Sequence, residues 1–426
     1  MQFSTKQPLF FHWTFCLLLV GLPVSKAIVS IAFVGLLLIV TYRLVSKQSA
    51  PFPSILLAIP VILFCVLGLS LFYTTNLKEG WKTLISYSKL LAIPLIFWQG
   101  QTVIRKRFSF YLKILVASTT LAALLTLILF LLPSEITKNI TANLPILKDY
   151  IQHQKTYAFG AYSPFIDRLQ FSYLIAVSFF LQLWMGLRQK FSIPQLIILG
   201  ILLTTLLILG ARGAQISFLL ASAVWLVYYF FFLVKKYSRS LLAYGILIST
   251  ILMVIIAFPK LAYDYVPAVK MRYDQMLWEI GTFRDGTFRN YDYTHFTSLR
   301  RWLSWKNSWA LICENPILGT GIGNYQTAMA DVYQKDGLGF PVNTQSQFLY
   351  FWTAAGLLAF LAFLMLLLYP VYHLYKEKNS LFKGFSFAFL TFYLLIFLFD
   401  APLNYQVGSL TFLIIYGFVA ITPDTN

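Results

Sequence analysis

The stretch ILLTTLLILGARGAQISFLLASAVWLVYYF, Ile201–Phe230, is apolar almost throughout, yet carries Arg212 near its middle, flanked by Gly210 and Gly213. A cation at the centre of a bilayer costs several kcal/mol, so one continuous span through this stretch is disfavoured. Two spans joined by a tight turn instead place Arg212 at a membrane surface. The glycines let the backbone turn sharply and let a ligand come close. Taken alone, Arg212 reads equally well as a side chain snorkelling to lipid headgroups.

The rest of the chain fits a membrane setting. Of its 426 residues 59% are hydrophobic and 11% charged, with a mean hydropathy of +0.72, whereas soluble domains are roughly a quarter charged. Three cysteines, Cys16, Cys65 and Cys313, give no disulfide framework or metal cluster. Apolar runs of spanning length fall near 8–25, 27–45, 53–73, 83–99, 109–133, 167–187, 193–210, 214–234, 240–258, 348–369, 381–400 and 405–422. The expected fold is therefore all-α, with about twelve transmembrane helices. The first run lacks a small-residue cleavage site and is expected to stay as an anchor.

The net charge of +18 is explained by topology. With the N-terminus inside, the inner loops carry Arg43 and Lys47, Arg105 to Arg107, Arg188 and Lys190, Lys235, Lys236 and Arg239, and Lys376, Lys378 and Lys383. The short outer loops carry far less, so both termini are expected in the cytoplasm. Nucleic-acid binding is not needed to account for the basic balance. Residues 134–166 and 259–347 then face outward, which divides the chain into helices 1–9 (1–258), a large periplasmic loop (259–347) and helices 10–12 with the C-terminus (348–426). The large loop is nearly neutral, with nine Lys/Arg against eight acidic residues. Any cation used there is placed individually.

Within that loop, SLRRWLSWKNSWALICENPILGTGIGNYQ (298–326) reads as an amphipathic helix followed by a stop. Leu299, Trp302, Trp309 and Cys313 recur at helical spacing, with Arg301, Ser304 and Ser308 on another face. The tryptophans are expected to face the membrane interface. Asn315-Pro316 ends the helix and Gly319, Gly321 and Gly323 allow a close turn. No strand precedes these glycines and no P-loop lysine follows, so they do not read as a nucleotide site. Next, NTQSQFLYFWTAAGLLAFLAFL (343–364) sets Asn343, Gln345, Ser346 and Gln347 at the mouth of the tenth span. Such neutral groups suit sugar hydroxyls or a helix cap.

Arg212 followed by glycine between two spans, Arg301 with Trp305 four residues on, ENPILGTGIGN, and a polar helix start running into FLYFWTAAGLLAF together resemble the O-antigen ligase and polymerase superfamily of bacterial membrane glycosyltransferases. The resemblance implies metal-independent, inverting transfer of a glycan from undecaprenyl diphosphate to an acceptor hydroxyl, lipid A-core or a growing glycan, with no cofactor. The protein is then expected in the inner membrane among membrane lipids, its active site facing the periplasm. Arg212 and Arg301 match the arginines thought to hold the diphosphate, a role suited to guanidinium. Lys89 and Arg168 are further outward cations that can assist, Arg168 with Asp167 as a local ion-pair alternative. Asn343, Gln345 and Ser346 are the candidates for glycan or acceptor binding. Ligases of the family usually carry His-Asn where this chain reads Gln345-Ser346, and a glutamine amide cannot act as a base at neutral pH. His295 is the best substitute, with an ordinary loop histidine as the plainer reading. Ligase and polymerase stay equally open. A flippase for the same lipid-linked glycans and a catalytically inactive relative are the alternatives.

Overall fold

The computed structural model describes residues 7–46, 51–52, 54–132, 163–189, 191–237, 260, 263–265, 267–291, 296–338, 343–376 and 381–421. Helices α1 (Gln7–Val24), α2 (Lys26–Val45), α3 (Ala58–Leu69), α4 (Leu77–Ser86), α5 (Lys89–Lys106) and α6 (Phe108–Leu131) form the first part. Then come α7 (Arg168–Gln189), α8 (Ile193–Ile208) and α9 (Arg212–Tyr237). Three helices follow, α10 (Pro267–Arg284), α11 (Thr297–Glu314) and α12 (Tyr325–Lys335), before α13 (Gln347–Lys376), α14 (Leu381–Phe399) and α15 (Gln406–Ala420). No strand occurs among the described residues. Among the described residues seven helices are long and apolar enough to cross a membrane, and Pro8–Val24, Ile193–Ile208 and Gln406–Ala420 are shorter apolar helices.

Eleven of the twelve expected spans coincide with helices. The ninth, 240–258, lies outside the described residues, as do His295, outer residues 134–162 and the inner cations Lys47, Lys190, Arg239 and Lys378. The fourth span differs from expectation. Its first part belongs to α4, a separate short helix begun by the Asn76 side chain, which accepts from Glu79 N at 3.2 Å. It buries Gly80 and Leu84 and leaves Leu77, Trp81 and Ile85 exposed, as a helix lying in the interface does. A turn at Tyr87 and Ser88 then starts α5.

α15 is buried along its whole length from Val407 to Ala420, so it forms the centre of the bundle. α2, with Ile31, Val34 and Leu38 exposed, is peripheral. Rings of Phe389, Tyr393, Phe397 and Phe412 pack together around the α14–α15 contact. In lipid, such close fitting takes over the role that the hydrophobic effect has in water.

The helices separate two chemically different ends. At one end Arg43 donates to the Gln99 carbonyl, Arg105 to that of Ile421 and Lys383 to that of Tyr375. Two of these, those of Ile421 and Tyr375, are carbonyls exposed at helix ends, where basic side chains are favoured. α5 runs from this end to Lys89 across its 18 residues, a rise of about 27 Å. The opposite end gathers Arg212, the α10–α12 helices and the turn between α14 and α15.

The glycine-rich turn after α11 has a mechanical role. α13 is broken at Gly356, whose φ of 75° and ψ of −167° are not helical. In an unbroken helix Leu357 N would donate to the Thr353 carbonyl. Here Leu357 N donates to Ile317 O at 3.0 Å, while the Thr353 carbonyl accepts from Thr320 N at 2.8 Å. Two bonds to the turn thus replace one helix bond, the kind of substitution that lets a helix break inside a membrane protein. The turn also grips the loop before α4, because Asn324 Oδ1 accepts from Asn76 N at 3.0 Å and from Thr75 Oγ1 at 2.9 Å.

Candidate functional site

α11 begins under a fully buried carboxylate. Glu279 of α10 accepts from Ser298 N at 2.6 Å and Leu299 N at 3.3 Å, satisfying amides that no helix carbonyl can reach. That occupancy matters for anion binding, because the positive end of the α11 dipole is already compensated. Any anion at this site must be held by side chains.

Arg212 is the first residue of α9, entered through Gly210 at φ 62°. Its Nη2 donates to Thr297 Oγ1 at 2.7 Å. Arg301 stands one helical turn beyond Thr297, and residues at that spacing are neighbours on one face. The sequence-expected pair, 89 positions apart in the chain, is therefore brought to one turn of α11. Arg301 is partly buried and its Nε makes no hydrogen bond among the described residues. A buried guanidinium donor without an acceptor is costly unless a ligand completes it.

Opposite Arg301 lies a group that sequence reading passed over. Asp400, nearly buried at 6% exposure, is the first residue past the end of α14. Tyr173 of α7 donates its hydroxyl to Oδ2, and Ala401 N donates to Oδ1 at 2.8 Å. Burial raises its carboxyl from the ordinary value, opposed by the Tyr173 hydroxyl, the Ala401 amide and the charge of Arg301. The only signal in the sequence was a lone acid at the end of an apolar run.

The segment before α13 is bound to the same surfaces. Trp305 Nε1 donates to Gln345 O at 3.1 Å, and Gln345 N to Ser304 Oγ at 3.3 Å. Thr344 accepts from the Tyr325 hydroxyl at 2.7 Å and pairs with Ser308. The Gln345 side chain is half-buried and has no hydrogen bond among the described residues. Ser346, in contrast, is buried with its hydroxyl donated to Phe397 O at 3.2 Å, which engages it with α14. Gln347, named in the sequence only as part of a polar helix start, is the node of the site floor. Its backbone N donates to Asp400 O at 3.1 Å, and its side chain accepts from Leu403 N at 2.9 Å and donates to Asn404 Oδ1 at 3.3 Å. Asn343 is exposed at the rim.

The remaining candidates are placed differently. Arg168 opens α7 on the Asp400 side, after Asp167, whose carboxylate caps that helix at Leu169 N at 2.9 Å. Lys89 lines a separate recess whose walls include neither Arg212 nor Arg301. On α11 the expected faces need correction: Leu299, Ser304 and Ser308 are all buried, while Trp302, Trp309 and Cys313 are exposed. The serines turn inward because Thr344, Gln345 and their own helix carbonyls satisfy them.

Two guanidinium groups thus meet at one turn of α11, one of them with an unmet buried donor, and guanidinium is chemically suited to anions with several oxygens. Over 221 residues the chain is 26% identical to an uncharacterized protein of Haemophilus influenzae, covering half of each chain. The chain thus spans about half the length of the curated relative it matches. Residues 197–364, which include both arginines, Gln345 and the break in α13, match the family model described as O-antigen ligase, so that segment of this membrane protein is similar to the O-antigen ligase family.

Proposed function

We propose that the protein transfers a glycan from undecaprenyl diphosphate to an acceptor hydroxyl on the periplasmic face of the bacterial inner membrane. The product is either lipid A-core carrying the glycan or an extended lipid-linked chain. The observation that carries this reading is the convergence of Arg212 and Arg301 on one turn of α11, with a buried Arg301 donor unmet. In the reaction the acceptor oxygen attacks the anomeric carbon from the face opposite the diphosphate, the bond to the diphosphate oxygen breaks, and the configuration inverts. Negative charge grows on the departing diphosphate, where preorganised donors lower the barrier most. Two arginines supply that charge stabilisation without a metal. Arg168 adds a cation on the Asp400 side of the site, and Asn343 and Gln345 offer hydrogen bonds to sugar hydroxyls at its rim.

The acceptor proton needs a destination. His295 is the assigned base, lying two residues before α11 begins. Asp400 is assigned to holding Arg301, because both of its oxygens already accept hydrogen bonds. If His295 is the base, the rate falls on acidification through a pKa near 6.5, and His295→Gln removes that limb along with most activity. A fully active His295→Gln enzyme rules this assignment out.

The surface glycan of a deletion strain separates the products. Single-unit chains identify a polymerase and unattached lipid-linked polymer identifies a ligase. Units trapped on the inner face identify a flippase and end the transferase reading.

A further inference from the structure

Lys89 occupies a recess of its own, on the other flank of α5 from the arginines. Tyr87 turns inward, its hydroxyl donated to Asn404. Lys89, two residues on, lines a cavity of ≈ 270 Å³ with Ser30 and Val34 of α2, Ile85 of α4, Ser88, and Gln406 of α15. Neither the Lys89 ammonium nor the Ser88 hydroxyl has a hydrogen-bond or ion-pair partner among the described residues, and no acidic side chain lines the cavity. Gln406 Nε2 donates to Ser30 Oγ at 2.9 Å and so closes one wall.

The depth and the surroundings define the occupant. Ser30 lies in the second turn of α2, Lys89 opens α5 and Gln406 opens α15, so the cavity sits where helices emerge at the membrane surface. Beside it Ile31, Val34 and Leu38 of α2 are exposed at spacings of three and four, forming an apolar track down the bundle's outer side. An uncompensated ammonium above an apolar track matches a lipid with a phosphate head. Lysine is a compact point charge well suited to phosphate.

We propose that this recess is a binding site for a phosphate-bearing membrane lipid, with the phosphate on Lys89 and the chain along Ile31, Val34 and Leu38, separate from the site between Arg212 and Arg301. The binding itself does not depend on the transferase reading. Two sources share this chemistry, a polyprenyl phosphate and a bulk anionic phospholipid.

The test is native mass spectrometry of the delipidated full chain, titrated with undecaprenyl phosphate, phosphatidylglycerol, or uncharged diacylglycerol. Lys89→Gln is expected to weaken one phosphate lipid by about ten- to hundredfold, the factor carried by one charge-assisted hydrogen bond. Lys89→Gln should weaken that lipid by the same factor in an Arg301→Ala background as in the unaltered chain, as two separate sites require. Val34→Trp, a substitution at an exposed position, should weaken the same lipid by filling the mouth of the recess. Selective loss of undecaprenyl phosphate identifies the carrier lipid as the source, and selective loss of phosphatidylglycerol identifies the bilayer. The proposal is overturned if Lys89→Gln and Val34→Trp bind both phosphate lipids as the unaltered chain does. It is equally overturned if Lys89→Gln weakens diacylglycerol as much as the phosphate lipids.

Discussion

Replacing Gly356 with alanine tests whether the break in α13 is part of how the site is held. At φ 75° and ψ −167° the residue occupies backbone space that is essentially restricted to glycine, where a side chain costs about 1–3 kcal/mol. An added Cβ would stand 2.0 Å from the Ile317 carbonyl oxygen, well inside contact distance. Relief requires the 317–320 turn to move away, which gives up the bonds from Leu357 N to Ile317 O and from Thr320 N to Thr353 O. At about 0.5–1.5 kcal/mol each, these losses bring the expected destabilisation to about 2–6 kcal/mol. The half-helix Gln347–Ala355 would shift with the turn, and with it Gln347 and the floor beneath Asp400. Gly281→Ala is the control: nothing lies within 4 Å of the Cβ it would add in α10, so it should be neutral or stabilise by about 0.5–1 kcal/mol. Fluorescence-monitored thermal unfolding of the purified proteins should show Gly356→Ala melting well below the unaltered chain and Gly281→Ala at or above it. If the two variants melt together with the unaltered protein, the turn does not support the break.

Further outcomes follow from the same geometry. Arg212→Ala and Arg301→Ala should each lower the transfer rate by about 10²–10³, and Arg301→Lys nearly as much, because a lysine restores charge without the two-pronged fork. A fully active, stably expressed alanine variant at either position removes that residue from the site. Asp400→Asn should lower activity. Burial raises this carboxyl, so acidification neutralises it, and removes its charge from beside Arg301, at a higher pH than for an ordinary carboxylate; the fall in rate below the His295 limb should be shallower in the variant. An unchanged rate together with an unchanged fall in that lower range would contradict the holding role. Glu279→Ala leaves Ser298 N and Leu299 N unsatisfied and should cost about 0.5–2 kcal/mol, read as a lower melting temperature. For sidedness, a cysteine introduced at Gly286 should react with an impermeant thiol reagent in spheroplasts while one at Asn379 should not. The reverse pattern would place the arginine site on the cytoplasmic face.

The sequence by itself determined the all-helical membrane class and most of the helix positions, and it singled out the two arginines as candidates. Runs of apolar residues are long, local signals, and a guanidinium within one is expensive enough to announce a turn. Glycines at 210 and 213 and Asn-Pro after α11 marked those turns for the same local reason. Only tertiary structure decided what the arginines face. Asp400 and Gln347 become part of the site because α14 ends beside α11 and the start of α13 docks between them, contacts between residues about a hundred positions apart that leave no periodic trace. The serines of α11 were legible only as a separate polar face, because polarity is read locally, whereas the partners that satisfy them, Thr344 and Gln345, are supplied by another segment. The string Gly319 to Gly323 was legible as a tight turn, but its purpose was not. It replaces a missing bond in a helix more than thirty residues away, and that missing bond exists only once α13 is broken in three dimensions.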